Sequence, residues 1–313
     1  MSRYTFSEEA FASDFKIVFE RFLFNEERHR LSQSKDNWKT FSLIDEQSKR
    51  VVAQVHFCVI GTIASSPLRA PFGSVEFSDT LSPENIQSFY LNTERRLKNI
   101  GVRKIRIKDA ASQYKPQQST LLNVVLLNSG FRISNSEINS AIEIDHVNFQ
   151  NKISYAEAKR LKRCQQERLI FRPLSMDMLE NIQSFIQSCR EERGMSLSMT
   201  LPELKKTIQF CEDDFLLFGV FQNEELIAAS ISVRVNNRIL YDFYHAHSKS
   251  ADQLSPVVAL VDGIYSYCGQ NKFELLDLGT STVDRQINFS LLNFKTRLGG
   301  LISMKLTFEK DLI

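Results

Sequence analysis

Residues 287–301 read INFSLLNFKTRLGGL. The spacing predicts a short helix from Asn288 to Arg297. Gly299 and Gly300 stop it, because glycine beyond a last helical turn enters the left-handed region without a Cβ clash. Leu291, Leu292, Phe294 and Leu298 form the expected buried stripe. Lys295 is left on a different face, and Arg297 lies near the helix end, where a cation suits the negative end of the helix dipole. A fainter copy stands 170 residues earlier, as Leu121, Leu122, Asn123 and then Gly130; both copies read LLN, six residues, Gly. The earlier copy carries Val125 and Leu127 where the later one carries Lys295 and Arg297. One unit is used twice, with the cations only in the second use.

Further matches keep the same order. Leu81-Ser82-Pro83 corresponds to Leu254-Ser255-Pro256, and Gly101, Lys104 and Asp109 correspond to Gly269, Lys272 and Asp277 at a constant offset of 168. In the first half, strands are expected at Thr40 to Asp45, Val51 to Gly61, Lys104 to Asp109 and Ser140 to Asp145. Helices are expected from Pro83 and over Pro116 to Asn128. Strands over Phe215 to Phe221, Leu226 to Val235, Arg238 to His247 and Lys272 to Leu278 repeat the pattern around a helix opening at Pro256. The terminal LTFE strand is assigned to the second unit. Strands alternating with helices give an α/β class, two mixed sheets with helices on both faces. The expected domains are 1–150 and 151–313, the second with a helical lead-in over about 151–211. That lead-in holds Ser154 to Gln166, Leu174 to Arg193 and Leu201 to Cys211. At the N-terminus, Phe11, Phe15, Phe19 and Phe22 recur at spacings of four and three, so Ser7 to Phe24 is expected to be an amphipathic helix packed on the domain.

The 313 residues are 42% hydrophobic and 24% charged with a formal charge of +2, so no global field selects nucleic acid or membrane. The five cysteines are scattered without a CxxC, which points to reduced structural thiols, a cytoplasmic location and no zinc site. No secretory signal and no apolar run of membrane-spanning length is found.

The sequence lacks GxSxG, HExxH, GxxxxGK[ST] and GxGxxG. His245 and His247 are expected on one strand face with Tyr241 and Phe243, either as metal ligands or as hydrogen-bonded strand residues. Asp277 and Gly279 end a central strand, where α/β sheets gather ligands; the alternative is an aspartate that caps a turn. Lys295 and Arg297 either face a cleft, where a cation holds a phosphate or an oxyanion, or lie on a solvated face. Phe294 either stacks on a ring or fills the core. Arg69, in the Pro-rich loop SPLRAPFG, either meets a ligand anion or points to solvent. Two basic runs, Arg95 to Lys108 and Lys159 to Arg172, either track a phosphate backbone or form solvated faces.

A duplicated unit ending in N-x-x-L-x-x-F-K-x-x-x-G-G, carried by Asn288, Leu291, Phe294, Lys295, Gly299 and Gly300, resembles the Fem-type aminoacyl transferases of the GNAT superfamily. Leu276-Asp277-Leu278-Gly279 and the Pro67 to Gly73 loop add to the likeness. The resemblance implies two GNAT folds in tandem and transfer of an acyl or aminoacyl group to an amine. The implied donor is aminoacyl-tRNA, or acyl-CoA in the wider superfamily, with no tightly bound cofactor and no metal. By that likeness Phe294 stacks on the terminal base of the donor. Lys295 stabilises the tetrahedral intermediate or holds the tRNA end, and Tyr241 or Tyr244 relays the proton. Arg297, Asp277, Gly279 and Arg69 are the further candidates for substrate contact. The glycine loop by which many GNAT enzymes hold CoA pyrophosphate is absent from Ser78 to Pro83 and from Lys249 to Pro256. A non-catalytic binding module on the same fold is the remaining alternative.

Overall fold

The computed structural model describes residues 3–8 and 15–312. The chain divides into two compact units, residues 1–137 with 303–313, and residues 138–302. In chain order the first unit holds β1 (Thr5–Ser7), β2 (Lys16–Ile17), α1 (Glu27–Gln33), β3 (Trp38–Asp45), β4 (Arg50–Ile60), β5 (Ile63–Ser66), β6 (Glu76–Phe77), α2 (Pro83–Asn99), β7 (Lys104–Lys108), α3 (Pro116–Asn128) and the start of β8 (Arg132–Glu143). The second holds the rest of β8, α4 (Phe149–Lys152), α5 (Tyr155–Gln166), β9 (Ile170–Leu174), α6 (Leu179–Glu191), α7 (Leu201–Cys211), β10 (Phe215–Gln222), β11 (Glu225–Arg234), β12 (Ile239–His247), α8 (Pro256–Gln270), β13 (Leu275–Thr280), β14 (Thr282–Val283), β15 (Gln286–Ile287), α9 (Phe289–Arg297) and the start of β16 (Leu301–Asp311).

The repeat is visible in the order of elements. β3-β4-β5-α2-β7-α3-β8 is followed by β10-β11-β12-α8-β13-α9-β16. The crossover helices α2 and α8 each join a parallel pair, β5 with β7 and β12 with β13. A parallel pair needs such a crossover, since a tight turn only returns a chain antiparallel. Pro83 and Pro256 each sit in the first turn of these helices, where a missing N–H costs nothing.

In the first unit the strand order is β1-β3-β4-β5-β7-β16, and in the second β9-β10-β11-β12-β13-β8. Each sheet is therefore completed by the last strand of the other repeat. β16 pairs antiparallel with β7 from Thr307 opposite Lys108 to Asp311 opposite Lys104. β8 pairs antiparallel with β13, with Ile142 opposite Leu276. This departs from the expected division at residue 150 and from the assignment of the LTFE strand to the second unit. Periodicity reports which residues of a strand face a core, not which strand lies beside it.

Phe41, Phe57, Phe89, Ile107, Leu126 and Phe308 are among the core of the first unit. The second core gathers Phe218, Leu240, Leu260, Ile264 and Leu276 around α8. All five cysteines are free and buried. Among the described residues no helix is long and apolar enough to cross a membrane.

The expected helix from Ser7 to Phe24 is not formed over its described part. Ser7 ends β1, Lys16 and Ile17 are β2, and Leu23–Asn25 is a single 3₁₀ turn. Residues 9–14, with Phe11, lie outside the described residues. The phenylalanines have separate partners: Phe22 packs edge-on against Phe72 at 5.4 Å, and Phe15 lies under the Lys49 ammonium. Likewise the expected helix from Leu174 begins only at Leu179, because residues up to Leu174 pair with β10.

The strand portion of the first basic run is neutralised on the sheet. Lys104 and Arg106 face Glu309, Lys104 also faces Asp311, and Lys108 faces Glu137. On α5, by contrast, Lys159, Lys162 and Arg163 are exposed.

Glu76 is buried on β6, where its Oε1 accepts the Phe22 N–H at 2.6 Å. Burial raises its carboxyl to about 7, against the pull of that hydrogen bond and of Arg21 and Lys115. A carboxyl raised in the folded state adds stability that is complete below its unfolded value. That stability is lost as pH rises through the folded value. Unfolding measurements at pH 5 and pH 8 should show the wild type losing about 2–3 kcal/mol relative to Glu76→Gln. Equal pH dependence in the two proteins would contradict the burial account.

Candidate active site

The site begins where two strands part. β12 and β13 pair over only three residues, Ile239 with Leu275, Leu240 with Leu276, and Tyr241 with Asp277. Beyond that point β13 has no β12 partner for its carbonyls, and buried carbonyls need donors. Lys295 supplies them: Nζ donates to the Gly279 carbonyl at 3.0 Å and to the Thr280 carbonyl at 2.7 Å. An ammonium has three N–H donors, so one is left for a third acceptor.

Lys295 sits on a helix built as the sequence predicts. Asn288 caps α9 by accepting the Leu291 N–H at 3.0 Å. Gly299 has φ +86°, and a Cβ on Gly300 would lie 2.8 Å from the Lys295 carbonyl. Only glycine permits that turn and that close approach. The expected stripe is altered in one respect. Leu298 is buried and Leu291, Leu292 and Phe294 are half-buried, but Lys295 itself is only 4% exposed.

The repeat gives this burial meaning. The residue corresponding to Lys295 is Val125, which is buried in the first core, whereas Leu127, corresponding to Arg297, is exposed. The second repeat thus places a cation at an interior position where the first has an apolar side chain. Burial lowers the Lys295 ammonium from 10.5 to about 8, with Arg190 adding to the fall and Asp277 and Asp242 opposing it. Holding the charge there costs about 3 kcal/mol. The group is still protonated at neutral pH.

Asp277 and Gly279 join Lys295. The Asp277 Oδ1 accepts the Gly279 N–H at 2.7 Å and the Asn139 Nδ2–H at 2.8 Å. The carboxylate therefore caps the turn at Gly279, where φ is +77°. Tyr241 comes to the same place: a Cβ on Gly279 would stand 3.2 Å from its ring.

The other candidates have other surroundings. Tyr244 is buried, its hydroxyl meets Ser198 Oγ, and the Arg190 guanidinium lies 5.3 Å from its ring centroid. Burial raises the Tyr244 phenol. Phe294 packs against the second core, and Phe289, 66% exposed, is the solvent-facing ring of α9. The Arg297 Nε donates to the buried Glu157 at 3.0 Å, tying α9 to α5. Arg69 lies in the first unit, where its backbone N–H and its guanidinium both bind Gln33.

Sequence reasoning missed Arg190 and Asp242. Asp242 was hidden by a β-bulge, which inserts Phe243 between the Ser232–Asp242 and Ile231–Tyr244 pairs. An extra residue reverses the face of everything after it. His245 and His247 consequently fall opposite Ser230 and Ala228, on the face of Asp242 and not on that of Tyr241. Each histidine has a carboxylate partner, Asp242 for His245 and Asp252 for His247. Among the described residues no group of three His, Cys, Asp or Glu is placed to hold a metal.

The first unit has its own shallow hollow, lined by Phe22, Asp109, Tyr114, Lys115 and Gln118. Burial raises Asp109 there to about 6.

No family model matches this sequence, and no curated protein matches it. Solved structures do. The crystal structure of FemX is 12% identical and superposes with a TM-score of 0.71, covering 93% of this chain and 92% of its own. The C-terminal domain of a putative lysylphosphatidylglycerol synthetase from Agrobacterium fabrum is 11% identical with a TM-score of 0.56, over 85% of this chain and 82% of that one. L-PGS from Bacillus licheniformis is 12% identical with a TM-score of 0.54, over 82% and 80%. The fold is thus that of FemX, which matches this chain over nearly its whole length.

Proposed function

We propose that this chain moves an acyl or aminoacyl group onto an amine by direct attack, with aminoacyl-tRNA as the leading donor. The observation that carries the reading is the buried Lys295 ammonium, held at the strand split with two of its three N–H groups committed among the described residues. Spending about 3 kcal/mol to keep a charge at a position the fold can fill with valine needs a return, and strongly perturbed groups cluster at functional sites. A preorganised cation is what a tetrahedral oxyanion requires.

In the proposed step the acceptor nitrogen attacks the ester carbonyl of the donor. The C–N bond forms, the oxyanion is met by Lys295, and collapse breaks the C–O bond to the tRNA. In this reading Tyr241, whose ring lies beside Gly279, orders the reacting groups. The exposed Lys159, Lys162 and Arg163 on α5 suit the phosphates of a tRNA donor. The alternative donor, acyl-CoA, has less support, since α8 opens on Ser255-Pro256 without a glycine loop.

The test is transfer from labelled aminoacyl-tRNA and from acyl-CoA to a panel of amines, followed across pH. Lys295 must carry its proton, so the rate should fall as pH rises through about 8. Lys295→Arg should move that fall to higher pH. Transfer from neither donor class would refute the reading.

A further inference from the structure

Four polar side chains line one face of β11 and β12 just past the strand split. Ser230 Oγ donates to Asp242 Oδ1 at 2.6 Å and meets Ser232 Oγ at 3.0 Å, while Asp242 Oδ2 meets His245 Nδ1 at 2.6 Å. The Asp242 side chain is 1% exposed and that of His245 is 24% exposed. The bulge at Phe243 is what makes the pair, since regular alternation would put residues 242 and 245 on opposite faces. The Arg190 Nη2 donates to the His245 carbonyl at 3.3 Å and holds the strand there.

Burial pushes the Asp242 carboxyl up, but His245, Ser230 and Lys295 together hold it below the usual range, so it is ionised. An ionised carboxylate only accepts, so the His245 Nδ1–H donates to it, and in the neutral imidazole Nε2 is then the acceptor. His247, two residues on, is different: its Nε2 is occupied by Asp252 and faced by Arg193.

We propose that His245, oriented by Asp242, is the general base of the transfer reaction. This inference rests on the transferase reading. Nε2 takes a proton from the acceptor nitrogen as the C–N bond forms and returns it to the departing oxygen as the C–O bond breaks, so no proton is gained or lost. His245 is the catalytic residue, and Asp242 is a positioning residue that fixes its tautomer.

The test is single-turnover and steady-state transfer by wild type, His245→Ala, Asp242→Asn and the double variant, with donor binding measured in parallel. His247→Gln serves as a control for histidine loss on the same strand. His245→Ala should lose a hundredfold or more in kcat, with donor Kd unchanged. Added imidazole should restore at least tenfold, which no structural role for the side chain would allow. Asp242→Asn should lower kcat and not donor affinity, and the double variant should be little worse than His245→Ala. His245→Ala within threefold of wild type, or a loss that imidazole does not restore, overturns the base assignment and leaves the transferase reading standing. Wild-type protein that transfers nothing from aminoacyl-tRNA or acyl-CoA overturns both.

Discussion

Lys295→Met should lower turnover by a hundred- to a thousandfold while the second unit stays folded. The rate loss is that of one oxyanion stabiliser, roughly 3 to 4 kcal/mol. The intact fold follows from two opposing terms. Methionine removes a buried charge that costs about 3 kcal/mol to hold. It also strips the Gly279 and Thr280 carbonyls of their donor, at about 1–3 kcal/mol each. The two largely offset each other, so the unfolding free energy should shift by no more than about 3 kcal/mol. Lys295→Ala adds a cavity to the same loss and should be less stable. Turnover equal to wild type in Lys295→Met would leave the ammonium as a purely structural donor to β13.

Gly263→Ala should destabilise the second unit by about 3 kcal/mol or more, the reverse of what helix propensity suggests. In an exposed helix, alanine for glycine gains about 1 kcal/mol. Gly263 is inside α8, and a Cβ there would stand 2.1 Å from Phe171 Cγ. The ring is half-buried and stacked on Phe218 with centroids 5.5 Å apart, so moving it aside breaks that stack. Overpacking a dense core ordinarily costs about 1–3 kcal/mol, and this overlap is deeper than most. Urea unfolding should show the loss, and adding Phe171→Ala should recover part of it. An unchanged midpoint would contradict the packing of α8 on β9.

These two residues mark what can be read from sequence and what cannot. The LLN repeat, the proline-led helices and the Gly299-Gly300 stop were legible because each depends on local backbone rules. So was the pairing of Asp277 with Gly279, since a carboxylate two residues before a glycine commonly binds its N–H. The burial of Lys295 was not legible. A cation in a short amphipathic helix reads as surface, and only the carbonyls of residues 279 and 280 reverse that. Arg297 shows the same gap in the other direction, its partner Glu157 being 140 residues away. The bulge at Phe243 left no mark in a run of alternating residues, so Asp242 and His245 could not be joined. The exchange of β8 and β16 was equally hidden, because neither strand's pattern names its neighbour.

The most direct test of the transferase reading is equilibrium binding of the purified protein to aminoacyl-tRNA, deacylated tRNA and acetyl-CoA, side by side at moderate salt. Expected is saturable binding to aminoacyl-tRNA, weakened in Lys295→Met and in a triple substitution of Lys159, Lys162 and Arg163. Saturable binding to acetyl-CoA alone would move the chain to the CoA-dependent acyltransferases. Binding to none of the three would contradict the proposed donors and leave the FemX-like fold serving another ligand.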